Sequence, residues 1–80
     1  MTERHLETTL DVSGLLCPLP VLKTRKRLGS MKAGEILVVT ATDPMSAIDI
    51  PHFCNEQGHE LLEQSKSDQH FLFRIRKSYR

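Results

Sequence analysis

Between Thr8 and Val12 apolar and polar side chains alternate, with Leu10 and Val12 to one side and Thr9 and Asp11 to the other. That period of two predicts a short half-buried strand. From Pro18 to Met31 the period lengthens. At about 100° per residue, Val21, Thr24, Leu28 and Met31 share one stripe while Lys23 and Arg27 lie opposite, which predicts an amphipathic helix. Arg25 falls at the edge of the stripe, where its stem can lie along the protein surface. Gly29, Ser30 and Gly34 end this helix. The strand expected over Glu35–Ala41 has the continuously apolar centre Ile36-Leu37-Val38-Val39, the mark of an interior position. In Thr42-Asp43-Pro44, Asp43 reads as an N-cap and Pro44 as the first residue of a second helix. That helix runs to about Gln57 with Ala47, Ile50, Phe53 and Cys54 on one face. Pro51 interrupts it and predicts either a kink or a restart with Asp49 capping the second half. After Gly58, His59–Ser65 reads as a strand, Lys66-Ser67-Asp68-Gln69 as a polar turn, and His70–Lys77 as a strand. In the last, Phe71, Phe73 and Ile75 point inward and Arg74 and Arg76 outward.

The resulting order, β-α-β-α-β-β, predicts an α/β fold of the α+β two-layer sandwich type. Two helices on one face of a four-stranded mixed sheet is its economical packing. The first two strands are parallel through a right-handed crossover, and the last two form an antiparallel hairpin. Eighty residues allow one domain with a small core. It is expected over residues 10–77, with residues 1–9 a flexible N-terminus and start of the first strand, and 78–80 a tail. Hydrophobic residues at 39% and charged residues at 26% suit a soluble globular chain. No apolar run is long enough for a membrane span, and the N-terminus lacks a signal-peptide pattern, so no membrane partner and a cytoplasmic location are expected.

The candidate chemistry lies in Gly14-Leu15-Leu16-Cys17-Pro18-Leu19-Pro20. Pro18 and Pro20 mark a helix beginning beside Cys17, which falls at or next to its N-cap. The partial positive charge there favours a thiolate, so a depressed pKa and a nucleophilic Cys17 are expected. Leu19 and Val21 keep their amides and are candidates to solvate an anion on the sulfur. The alternative is a buried cysteine in a proline-stiffened turn. Because Cys17 ends the first strand at the edge where open α/β sheets place ligands, and Asp43 leaves the sheet at the same edge, the two are candidate neighbours. Asp43's capping role alone also explains it. Cys54 reads as core. The two cysteines suit neither a disulfide scaffold nor a C-x-x-C motif, and the histidines lack zinc-site spacing, so no metal is expected.

Net charge is +1, but it is unevenly distributed. Val12–Gly34 contains no acidic residue and carries Lys23, Arg25, Lys26, Arg27 and Lys32, whereas Glu35–His70 is predominantly acidic. The basic helix is either a solvated face or a docking surface for an acidic partner.

The run Leu10–Pro20, followed by Lys32-x-Gly34-Glu35, Thr42-Asp43-Pro44, Asp49-Ile50-Pro51-x-Phe53-Cys54 and Gly58-His59-Glu60-Leu61, resembles the TusA/SirA-like sulfur-carrier family of bacteria. The resemblance covers about Leu10–Lys77 and implies the β-α-β-α-β-β fold. It further implies that Cys17, the cysteine of C-P-x-P, accepts sulfane sulfur as a persulfide from a cysteine desulfurase or other donor. The sulfur then passes to a downstream relay protein, the best-known outcome being thiolation of a tRNA wobble uridine. Gly14, Pro18, Leu19 and Pro20 would support Cys17, and Lys23, Arg25, Lys26, Arg27 and Asp43 are candidates for docking. Exchange between sulfurs requires no metal and no organic cofactor. Leu16 stands where polar or basic residues are frequent in the family, which makes the approach to Cys17 more apolar.

Two other classes compete. One is a nucleic-acid-binding or regulatory module using the basic helix 23–32, disfavoured by near-neutral charge and few aromatic residues for stacking. The other is a thiol redox sensor or peroxidase using Cys17, which normally requires an accessible resolving thiol.

Overall fold

The computed structural model describes residues 7–78. Its elements are β1 (Glu7–Asp11), α1 (Leu19–Gly29), β2 (Ile36–Ala41), α2 (Ser46–Gln57), β3 (Glu60–Ser67) and β4 (His70–Arg76). The sheet order is β1-β2-β4-β3, with β1 parallel to β2 and the other two pairs antiparallel. Of the expected flexible N-terminus, residues 1–6 lie outside the described residues, as do residues 79–80 of the tail.

Register places Leu10, Val39 and Phe73 in line across the sheet, and Leu37 opposite Ile75. Leu28 of α1 and Ile50 and Cys54 of α2 join these inward side chains in one core with Val12, Ala41 and Phe71. Both helices therefore cover the same face. Thr24, a polar residue on the inward stripe of α1, is fully buried because its hydroxyl donates to the Pro20 carbonyl at 2.8 Å. A satisfied hydroxyl is tolerated in a core where an orphaned one is costly. The hydroxyl of Ser46 is the contrast: it is buried and has no partner among the described residues.

The opposite sheet face is closed by charge. Arg74 reaches from β4 across β2 to Glu7 on β1 at 2.6 Å and lies 3.7 Å from Glu63 on β3. Arg76 pairs with Glu60 at 2.7 Å. Ile36, whose side chain belongs to this outer face by its pairing with Glu7 and Arg76, is nonetheless buried.

Several boundaries differ from the expectations. The hairpin tip contains only Asp68 and Gln69, since Lys66 and Ser67 pair with Phe71 and His70. Asp68 adopts φ 56°, a left-handed conformation that a short Asp side chain tolerates, so the turn closes in two residues rather than four. The second helix begins at Ser46, and Asp43 instead opens the turn before it: its carbonyl accepts the Ser46 amide at 2.9 Å and its Oδ1 the Met45 amide at 3.2 Å. Pro51 neither splits α2 nor requires a cap from Asp49. The Ala47 carbonyl, four residues earlier and deprived of its usual donor, accepts instead from Gln64 Nε2 at 3.2 Å. Gly58, at φ 79°, ends the helix, with the His59 amide turned back to the Cys54 carbonyl at 2.9 Å.

Candidate active site

Strand β1 delivers the chain to the site through a tight turn in which the Leu15 amide donates to the Val12 carbonyl at 3.1 Å. Gly14 occupies its third position at φ 85°, a conformation that costs glycine nothing and other residues more. Three bonds then tie this loop to the parallel junction after β2. The Gly14 amide donates to Thr42 Oγ1 at 2.8 Å, the Cys17 amide to Asp43 Oδ2 at 2.6 Å, and the Cys17 thiol to Asp49 Oδ2 at 3.1 Å. The two strand-to-helix junctions leave the same sheet edge, as the parallel pairing of β1 and β2 dictates.

Cys17 is exposed, one residue before the N-cap Pro18, and the Cys17–Pro18 peptide bond is cis. The alternative of a buried cysteine in a stiffened turn is excluded for Cys17. Two electrostatic expectations are corrected. The Leu19 amide is not free to solvate an anion on the sulfur, because it donates to the Leu16 carbonyl at 2.8 Å. The thiol is also raised above, not depressed below, its ordinary value: first by its hydrogen bond to Asp49, then by local desolvation and the negative charges of Asp49 and Asp43. A full carboxylate charge in contact with the sulfur outweighs the fractional charge of a helix terminus. The resting form of Cys17 is therefore a thiol whose proton is aimed at Asp49.

Asp43, grouped by sequence with docking residues, is only 8% exposed. Its two carboxylate oxygens hold the amides of Cys17 and Met45, so it positions the Cys17 loop from beneath. The basic helix also divides. Lys23, Lys26 and Arg27 lie with Leu10 and Ser30 around a shallow cavity over the β1 side of the sheet. Arg25 is not beside Cys17: it lines a 240 Å³ cavity with Phe53, Gln57, His59 and Lys77, around the far end of α2. Pro20, in the first turn of α1, is buried, whereas Pro18 and Leu19 are exposed beside the cysteine.

Asp49 is the site residue that the sequence reading missed. It looked like a helix cap because Pro51 follows it closely. The available signal was geometric: two junctions leaving one sheet edge turn the first-turn side chains of α2 towards the Cys17 loop. The described residues contain no group of three His, Cys, Asp or Glu side chains able to hold a metal ion.

Cys54, the other thiol, lies in the core, and burial pushes it up to about 11. The family model described as Sulfurtransferase TusA matches residues 8–77. The chain belongs to this family. The sulfur carrier protein TusA of Pseudomonas putida strain GB-1 is 46% identical over 77 residues, covering 96% of each chain. That of Allochromatium vinosum is 46% identical over 69 residues, covering 86% of this chain and 91% of its own. The crystal structure of a SirA-like protein from Desulfitobacterium hafniense shares the fold, with a TM-score of 0.78, 23% identity, and coverage of 89% of this chain and 97% of that one. Apart from Glu7 at the start of β1, the TusA-family match takes in all of the elements from β1 to β4 and both junctions that meet at Cys17.

Proposed function

We propose that this TusA-family chain is a sulfurtransferase-type carrier that holds sulfane sulfur as a persulfide on Cys17. The observation that carries the reading is the exposed Cys17 at the sheet edge, set against a second thiol sealed in the core. In the loading step the Cys17 thiolate attacks the outer sulfur of a donor persulfide. A new S–S bond forms at Cys17, the donor's S–S bond breaks, and the donor sulfur leaves with the electron pair as a thiolate. No net oxidation occurs, so the step needs neither a metal nor an organic cofactor. Unloading repeats it with the next protein's thiolate attacking the outer sulfur on Cys17. Because Cys54 is buried, it is not placed to resolve the persulfide as an internal disulfide.

A cysteine desulfurase or another persulfide protein is the proposed donor, and a downstream relay protein the acceptor. The name shared by the curated relatives supports the carrier role. Delivery towards tRNA thiolation in the cytoplasm is the proposed destination. Lys23, Lys26 and Arg27 form the flank that steers an acidic partner surface; loading rates independent of salt would refute that steering.

The direct test is intact mass without reductant after incubation with a cysteine desulfurase and cysteine. Gain of one sulfur atom by the wild type and Cys54→Ser, with none by Cys17→Ser, is the expected result. No gain from any donor would remove the carrier reading and favour a binding module.

A further inference from the structure

The large apolar side chains left exposed among the described residues are Leu16, Leu19, Leu22, Met45 and Ile48. All belong to the leading parts of α1 and α2 or the loops before them. Leu16 adjoins Cys17 and is 67% exposed; Ile48 adjoins Asp49 and is 63% exposed. Met45 donates its amide to the same Asp43 carboxylate that receives the Cys17 amide. Cys17 therefore sits within an apolar rim, and apolar surface concentrated at one end of a small domain marks an interaction site.

The centre of that rim is negative. Asp49 and Asp43 are the charged groups acting on Cys17, and Asp49 forms no ion pair among the described residues. Asp43 is buried and occupied by two amides. The carboxylate of Asp49 is thus the available charge, and its one hydrogen bond among the described residues goes to the thiol that must lose its proton before it can react. An acceptor carboxylate is far too weak a base to take that proton, so it holds the sulfur as a thiol.

Resting on the carrier reading above, we infer that the rim around Cys17 docks an apolar partner surface bearing a lysine or arginine, which pairs with Asp49 and frees Cys17 to react. An apolar rim around an unpaired carboxylate is complementary to an apolar patch around a cation. When the partner's cation occupies Asp49 Oδ2, the thiol loses its acceptor and the thiolate no longer faces an uncompensated negative charge. The proton leaves to water, and the thiolate attacks the donor's outer sulfur as described. Asp49 is a positioning residue that keeps an exposed cysteine quiet until a sulfur donor is seated.

The test uses wild type, Asp49→Asn and Ile48→Gln in three assays: the pH profile of Cys17 alkylation by iodoacetamide, loading by inorganic polysulfide, and loading by a cysteine desulfurase with cysteine. Asp49→Asn should move the alkylation profile to lower pH and speed alkylation several-fold at pH 8. It should also shrink the advantage of the protein donor over polysulfide. Ile48→Gln, which adds no charge beside the thiol, should slow loading by the protein about tenfold, as loss of an interface anchor does, and so lower the ratio of protein loading to polysulfide loading. An unaltered profile in Asp49→Asn, or full-rate protein loading of Ile48→Gln, overturns the inference and leaves the carrier reading standing. Wild-type Cys17 that loads from neither donor overturns the carrier reading itself.

Discussion

Both cysteines of this chain are held as thiols, but for different physical reasons. Around Cys54 the cause is burial among apolar side chains, which pushes the thiol up to about 11 and changes only if the fold opens. Around Cys17 the main cause is one hydrogen bond to Asp49 at the surface. A neighbouring charge can be cancelled by a partner, whereas core desolvation cannot. The core therefore stores an inert sulfur, and the sheet edge stores one whose reactivity is conditional.

The largest expected separation of the two is in alkylation. At pH 8 Cys17 should react in the native state, while Cys54 should be slower by roughly a thousandfold or more, because it reacts only through opening events that approach global unfolding. Comparable rates in a mass-resolved time course would place Cys54 in a locally open element. Stability should reverse the ranking. Cys54→Ser places a hydroxyl in the core and should cost about 1–3 kcal/mol if it finds no partner, whereas exposed Cys17→Ser should change urea stability by less than about 0.5 kcal/mol.

Asp43→Ala tests whether the edge is built as firmly as the core. It strands the amides of Cys17 and Met45 and should cost about 1–2 kcal/mol. Asp43→Asn should recover part of that loss, and an unchanged unfolding midpoint in the alanine variant would separate loop position from stability. The smallest effect concerns His59, whose amide returns to the Cys54 carbonyl. Its imidazole is shifted below the usual histidine value by burial and then by Lys77. The unfolded chain thus binds the proton more readily, so the contribution of His59 is complete above the unfolded value of about 6.5 and declines as pH falls through the lowered folded value. Urea midpoints measured between pH 7.5 and 5 should fall less in His59→Gln than in the wild type.

Element types were legible because hydrophobic periodicity is a local property. The alternation ending in Phe71, Phe73 and Ile75, the apolar run Ile36–Val39 and the stripe through Thr24 and Leu28 all appear as read. Boundaries slipped where long-range partners intervened. Lys66 and Ser67 became strand through pairing with Phe71 and His70, and Pro51 stayed within a continuous helix while Gln64 supplied a donor to Ala47. The placement of β4 between β2 and β3 was beyond local pattern, since both neighbours offer it a hydrogen-bonding edge.

Sequence alone determined that Cys17 lies at a strand-to-helix junction and that Cys54 lies on a helix's inward face, because spacing and proline position carry that information. Tertiary structure decided which charges each sulfur meets. Asp49 is 32 residues from Cys17 along the chain, and only the parallel pairing of β1 with β2 brings its carboxylate to the thiol. The sign of the Cys17 shift follows from that contact: a helix terminus read from sequence supplies a fractional positive charge, and the folded chain sets a full negative one against it.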